Sequence, residues 1–335
     1  MATYTTIDNP ELYFQTKIYS GTGSSLALTL DGDTDMQPDW VWFKRRDGSA
    51  NHHAYDSVRG VTAALVPNDT DVETTGSLEA TNYFSSFDSD GFTLAGGNYN
   101  NSNKSGQTYV AWCWKESADA GFDMVTYTGN QTARTISHSL SAVPHWMVIK
   151  NRGSTYSWQV YHHKNTSAPE TEIMYLNQDA ATSDSNVEWN DTAPTSSVFT
   201  VGTDVGVNQS SQSHIAYLFS GKQGYSKFGS YTGNANNDGA FIYLGFKPAF
   251  FMVKKTDATD DWRMFDNKRP GINVIDDELK ANENGVEGTG DKMDFLSNGV
   301  KFRISTSVNT SNTFVYMAFA EAPFVNSNGV PANAR

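Results

Sequence analysis

One cysteine, Cys113, stands in 335 residues, which excludes an intrachain disulfide framework. Charge is sparse at 18% of residues and unbalanced, with 24 basic against 37 acidic side chains and a net of −13. Nucleic acid and anionic lipid both call for clustered Lys and Arg, so neither is expected as the main partner. No apolar run approaches the roughly 18–20 residues of a membrane helix, so no membrane insertion is expected. The opening residues Met1-Ala-Thr-Tyr-Thr-Thr carry neither a basic nor an apolar leader pattern, and no secretory signal is expected. Aromatic residues, at 13%, are plentiful enough for packed cores.

The chain repeats itself. Tyr19-Ser-Gly21 returns as Tyr127-Thr-Gly129 and Tyr231-Thr-Gly233. A proline leads an apolar run to a lysine six residues on: Pro38 to Lys44, Pro144 to Lys150 and Pro248 to Lys254. A third anchor is Tyr55-Asp56, Tyr161-His162 and Phe265-Asp266. A fourth is Tyr109-Val-Ala-Trp-Cys-Trp114, His214-Ile-Ala-Tyr-Leu-Phe219 and Phe314-Val-Tyr-Met-Ala-Phe319. Four anchors in one order, three times over, divide the chain into an arm (1–13), three units (14–118, 119–223 and 224–322) and a second arm (323–335). Phe14, Phe122 and Phe228 read as the first residue of each unit, so Glu11-Leu-Tyr-Phe-Gln15, though it looks like an engineered protease site, reads as native.

The anchors are short runs rich in β-branched and aromatic residues between Gly, Asn, Asp, Ser and Thr clusters, which is a strand pattern. Trp40–Phe43 and Tyr109–Trp114 are apolar on both alternating faces and are expected to be covered on both sides. Asp88-Ser-Asp-Gly91 and Asn298-Gly299 read as turns leading into strands. One short helical turn is expected at 276–281. The fold class is all-β: three tandem antiparallel β-sandwiches, each with its own core. A lectin-like jelly-roll of the concanavalin or laminin-G kind is favoured over an immunoglobulin type. Short joints are expected to hold the units together, and the arms to dock on a neighbouring chain or domain.

Chemistry-bearing patterns are few. His52-His53 and His162-His163 suggest metal ligands, but neighbours on a strand point to opposite faces, so these pairs are expected on surface loops. Asp31-Gly-Asp33-Thr-Asp35 begins like a calcium loop, then places Met36 and Trp42 where glycine and glutamate are needed. It reads as a solvated hairpin tip, with a looser calcium site in a β-loop as the alternative. Asp56 with Arg59 and Asp266 with Arg269 read as exposed ion pairs that fix a turn. Trp158, Trp189, Trp262, Tyr99 and Tyr156 are candidates to stack on sugar rings; Trp158 and Trp262, at matching places, read as core, and Tyr99 as the more exposed candidate. The nucleophile elbow, zinc-protease and phosphate-loop templates are missing. No catalytic, cofactor-binding or metal-ligating residue is assigned, no cofactor is expected, and an enzyme is not expected.

The segments Val-Ile-Lys-Asn-Arg152, Tyr-Val-Ala-Trp-Cys-Trp-Lys115, Thr-Ala-Pro-Thr-Ser-Ser-Val-Phe199, Gly-Tyr-Ser-Lys-Phe-Gly-Ser-Tyr-Thr-Gly233 and Tyr-Met-Ala-Phe-Ala-Glu-Ala-Pro-Phe324 resemble a family of tandem-repeat virion proteins of tailed bacteriophages, especially marine ones. The likeness runs over nearly the whole chain. It implies a virion structural protein assembled in the host cytoplasm and supplies no catalytic residue. A tail fibre or spike component attaching to host-surface glycan is the leading expectation; a head decoration or tail adaptor is the alternative, and a polysaccharide-degrading enzyme a third. Expected partners are other virion proteins, further copies of the chain and host glycan. A fibre calls for a trimer of chains, or else the three units of one chain stand in for a trimer.

Overall fold

The computed structural model describes residues 4–75 and 83–331, and these are nearly all β. The first unit holds β1 (Phe14–Ser20), β2 (Leu26–Thr29), β3 (Trp40–Arg45), β4 (His53–Asp56), β5 (Ala63–Ala64), β6 (Thr74–Thr75), β7 (Ser86–Asp88), β8 (Gly91–Leu94) and β9 (Thr108–Trp114). The second holds β10 (Phe122–Thr128), β11 (Arg134–Ser137), β12 (Trp146–Asn151), β13 (Gln159–His162), β14 (Glu172–Tyr175), β15 (Ser183–Asp184), β16 (Val198–Val201) and β17 (Ser213–Phe219). The third holds β18 (Ser226–Thr232), β19 (Phe241–Tyr243), β20 (Phe246–Lys255), β21 (Arg263–Asp266), β22 (Leu279–Lys280), β23 (Met293–Leu296), β24 (Gly299–Phe302) and β25 (Thr313–Pro323).

The same antiparallel order is built three times. The main sheets run β1-β9-β3-β4, then β10-β17-β12-β13 with β14 and β15 added, then β18-β25-β20-β21 with β22 added. In each, the first strand of the unit pairs with the last, so a unit's two ends lie side by side and short joints suffice. A small outer sheet lies within each unit: β2-β8-β7, β11-β16 and β19-β24-β23. Two-residue turns join β7 to β8 and β23 to β24, with Asp88 opposite Gly91 and Leu296 opposite Gly299, as the Asp-Gly and Asn-Gly signals predict.

Both faces of the central strands are apolar because both are covered. Along β3, Val41 and Phe43 face the core of their own unit, while Trp40 and Trp42 face a second core shared by all three units. Met147 and Ile149 against Trp146 and Val148 repeat the division on β12. Phe251 and Val253 against Phe250 and Met252 repeat it on β20. A side-chain period of two serves both layers at once. Seven of the eight tryptophans lie in the shared core and only Trp189 in a unit's own. Since a tryptophan buries ~150–250 Å², the heaviest side chains hold unit to unit. Trp114 and Phe219 end β9 and β17 there, and Phe319 holds the matching place on β25, with ring centroids 5.8 Å apart for Trp114–Phe319 and 5.7 Å for Phe219–Phe319.

Two expectations change, and a third, the docking of the arms on a neighbouring chain or domain, is met within the chain itself. Residues 276–281 form no helix; they carry β22, paired with β21 through Met264–Leu279. The helical turn is at Val205–Asn208, capped by the Asp204 carboxylate, which accepts from the Gly206 amide. Phe228 does not match Phe14 and Phe122. Those two pair with Trp114 and Phe219, whereas Phe319 pairs with Ser226, so Phe228 occupies the place of Thr16 and Met124. The arms dock on the chain's own body: Ile7 enters the shared core, the Thr5 hydroxyl donates to the Gln223 carbonyl at 2.8 Å, and Asp8 accepts from the Ser327 amide at 2.7 Å. Residues 1–3 and 332–335 of the arms lie outside the described residues.

Candidate functional site

The anchor residues hold the units to one another in a cycle. Lys44, Lys150 and Lys254 are fully buried. Lys44 donates to the Gly285 carbonyl of the third unit at 2.8 Å, Lys150 to Thr70 of the first at 3.0 Å, and Lys254 to Asp179 of the second at 3.1 Å. Each also donates to a carbonyl of its own unit: Arg45, Tyr156 and Lys255. No carboxylate accepts from them in these contacts, and burial pushes each ammonium down to about 8. The indoles repeat the cycle. Trp158 donates to Val66 of the first unit at 3.0 Å, and Trp262 to Tyr175 of the second at 2.9 Å. His52, three residues before Tyr55, takes that place in the first unit and reaches the Lys280 and Glu283 carbonyls of the third at 3.1 Å.

The histidine pairs are therefore not surface residues. His52, His53 and His162 are buried, and His163 is half-buried. His52 Nδ1 accepts from Trp42 Nε1 at 2.8 Å, so both ring nitrogens are engaged. His162 Nδ1 accepts from the Lys164 amide, and its Nε2 donates to the Tyr316 carbonyl at 3.1 Å. Burial holds His53 down at about 4 and His162 at about 3. The expectation for the Asp–Arg pairs holds for the bond and fails for the exposure. Asp56–Arg59 and Asp266–Arg269 meet at 2.6 Å with all four side chains fully buried.

The aromatic candidates divide. Trp158, Trp189 and Trp262 are core residues. Tyr99 is half-buried against Tyr83, and Tyr156 is half-buried. The exposed rings are elsewhere: Phe241 at 46% and Tyr243 at 48%, on the outer face of β19. Asp31, Asp33 and Asp35 are exposed, as expected of a hairpin tip. A cavity of about 350 Å³ lies between the first and third units beside that tip, with Glu11, Asp31 and Glu321 among its lining residues. Three of its carboxylates are engaged: Asp31 with Lys17, Glu11 with the Asp33 amide at 2.8 Å, and Glu321 with Lys247 and Asn267.

A fifth anchor was missed by sequence reasoning. Asn103, Asn208 and Asn309 are fully buried, and their amides staple the loop after each Tyr-x-Gly, for example Asn208 Nδ2 to the Thr132 carbonyl at 2.8 Å. A Cβ on Gly21, Gly129 or Gly233 would come within 2.3, 2.2 or 2.0 Å of a carbonyl just after that asparagine, which is why glycine stands there. The tyrosines of the motif donate to Ser102, Val207 and Val308 carbonyls immediately before it. The available signal was an asparagine five or six residues before each last-strand anchor.

A search of curated proteins finds no match. A family model described as a domain of unknown function, DUF7483, matches residues 9–323, nearly the whole chain. The match takes in all three units and both joints, and the chain belongs to the DUF7483 family.

Proposed function

We propose that the chain is a non-enzymatic structural protein of a tailed-phage virion, carried on the tail as part of a fibre or spike, where it attaches the particle to host-surface glycan. One observation carries the reading. The buried lysines and the Tyr-x-Gly staples repeat in all three units, while the outer strands β2, β11 and β19 differ, as Leu-Ala-Leu-Thr, Arg-Thr-Ile-Ser and Phe-Ile-Tyr. A body locked from within and varied without suits a surface that binds. The three units of one chain then stand in for a trimer of chains. The rival head or adaptor role predicts large apolar interfaces between chains as well as buried arms; the described parts of the arms bind this chain's own body. The enzyme reading needs a carboxylate pair free to act on substrate, whereas Asp31, Glu11 and Glu321, in the cavity between the first and third units, are held by lysine, amide and backbone partners.

Immunogold electron microscopy of intact particles, with antibody against the recombinant chain, tests the proposal. Label at the tail is the expected result. Label over the head overturns adhesion in favour of a structural role, and unlabelled particles overturn the virion reading.

A further inference from the structure

We infer that Phe241 and Tyr243 form a platform on which a hexopyranose of a surface polysaccharide stacks. The inference rests on the adhesion reading and assigns it a site. The two residues are two apart on β19 and so share one face of the outer sheet. They are the aromatic rings most open to solvent among the described residues, in a protein whose tryptophans are all buried.

The other two units serve as internal controls. Ile242, between the two rings, is buried opposite Val300; Leu28 opposite Phe92 and Ile136 opposite Phe199 hold the same place in the other outer sheets. The residues matching Phe241 and Tyr243 are then Ala27 and Thr29 in the first unit, and Thr135 and Ser137 in the second. The outer sheet forms twice without aromatic residues at these positions. Folding therefore does not account for the rings in the third unit.

Polar groups surround the pair. The Tyr4 hydroxyl lies 3.1 Å from that of Tyr243, and Lys227 Nζ sits 5.4 Å from the Tyr243 ring centre. On the other side Lys301, opposite Phe241 in the sheet, pairs with Asp238 at 2.7 Å. Asp238 closes the exposed loop Asn234-Ala-Asn-Asn-Asp238. An apolar ring face edged by amides, hydroxyls and both signs of charge matches a pyranose, which presents C–H groups on its face and hydroxyls at its rim. The area of the pair fits a small ligand better than a second copy of the chain. The open halves of two such rings amount to roughly 200 Å², against about 800 Å² per partner for a stable dimer.

The test uses the full chain with Phe241→Thr and Tyr243→Ser together, the residues the second unit already carries. The probes are polysaccharide purified from the host surface and arrayed glucose- and galactose-terminated oligosaccharides. The wild type is expected to bind, and the double variant to lose roughly tenfold or more in affinity with an unchanged melting midpoint. Tyr243→Phe, which keeps the ring, is expected to keep most of the binding. A wild type that binds none of the probes overturns the adhesion reading itself. Binding equal in wild type and double variant overturns this platform alone and leaves adhesion standing elsewhere. Self-association of the wild type that the double variant abolishes shows a contact between copies and also overturns it. Should the double variant melt early, Tyr243→Ala alone gives the same comparison.

Discussion

The joint between the first and second units and the joint between the second and third are built on one plan from opposite materials. At the first, Arg59 lies between Asp56 and Glu73, and Glu73 takes a two-bond fork from Arg152 at 2.7 Å. The Tyr217 hydroxyl donates to Asp56 across the joint at 2.6 Å. The joint between the third and first units repeats this with Asp266, Arg269, Glu287, Arg46 and the Trp112 indole. At the joint between the second and third units the same five places hold His162, Asn165, Thr182, Thr256 and Met317. The backbone bond that aligns them persists: Glu73, Glu287 and Thr182 amides each donate at 2.9 Å to Arg152, Arg46 and Thr256 carbonyls. Every charge has gone together. A buried ion network keeps its stability only while each member is paired, so partial replacement would leave an orphaned charge. The lesson is that this network behaves as one unit of sequence.

The largest expected effect comes from breaking a charged joint. Arg59→Met leaves Asp56 buried without its cation and Glu73 with Arg152 alone, and should cost about 3–5 kcal/mol in denaturant unfolding. Asn165→Ala, at the matching neutral place, removes a single bond to the Thr182 hydroxyl and should cost about 1 kcal/mol. Equal losses would break the comparison. Trp158→Phe removes the indole's bond to the Val66 carbonyl across the first joint, which keeps the Asp69 amide as its donor, and should also cost about 1 kcal/mol.

Acid should weaken the neutral joint before the joint between the first and second units. Burial depresses His162 to about 3 and His145 to about 4, and lowers the adjoining His163. The unfolded chain protonates its histidines near 6.5 while the folded chain does not, so stability falls as pH drops from about 6.5 towards 4. Burial alone would raise Glu73, but the bonds from Arg152 and Arg59 hold it below its ordinary value, and the charged joint should last to lower pH. Hydrogen exchange at pH 5 should lose protection first in β13 and β25, and His162→Asn should flatten the slope. In alkali the three buried lysines act with the same sign of slope. Unfolded lysine keeps its proton to about 10.5 and the folded groups only to about 8, so their contribution rises with pH between these values. Lys150→Met should remove about a third of that rise. The smallest effect belongs to the exposed Lys17–Asp31 pair: Asp31→Asn should change stability by less than about 0.5 kcal/mol.

The repeat, the strand class and the two-faced central strands were legible because spacing and alternation are local properties of the chain. Pro38-to-Lys44 and its two copies announce a strand with a polar end. They do not say that the lysine turns inward, because burial without a carboxylate is the less common outcome. His52 and Trp158 illustrate the same limit. Their equivalence follows from counting back three residues from Tyr55 and Tyr161, but their shared partner is a carbonyl of another unit. Phe228 was misplaced because a matching residue type outweighed register, and only the strand pairing of Ser226 with Phe319 corrected it.

By itself the sequence determined three copies of one antiparallel unit, since the alternation of apolar residues and the placement of Gly, Asn and Asp leave little choice of local structure. Only the tertiary structure decided that the copies close on a common aromatic core, which residues cross between them, and which two rings stay in water. Those outcomes depend on which face meets which neighbour. A period of two tells the faces of a strand apart without saying what lies against either.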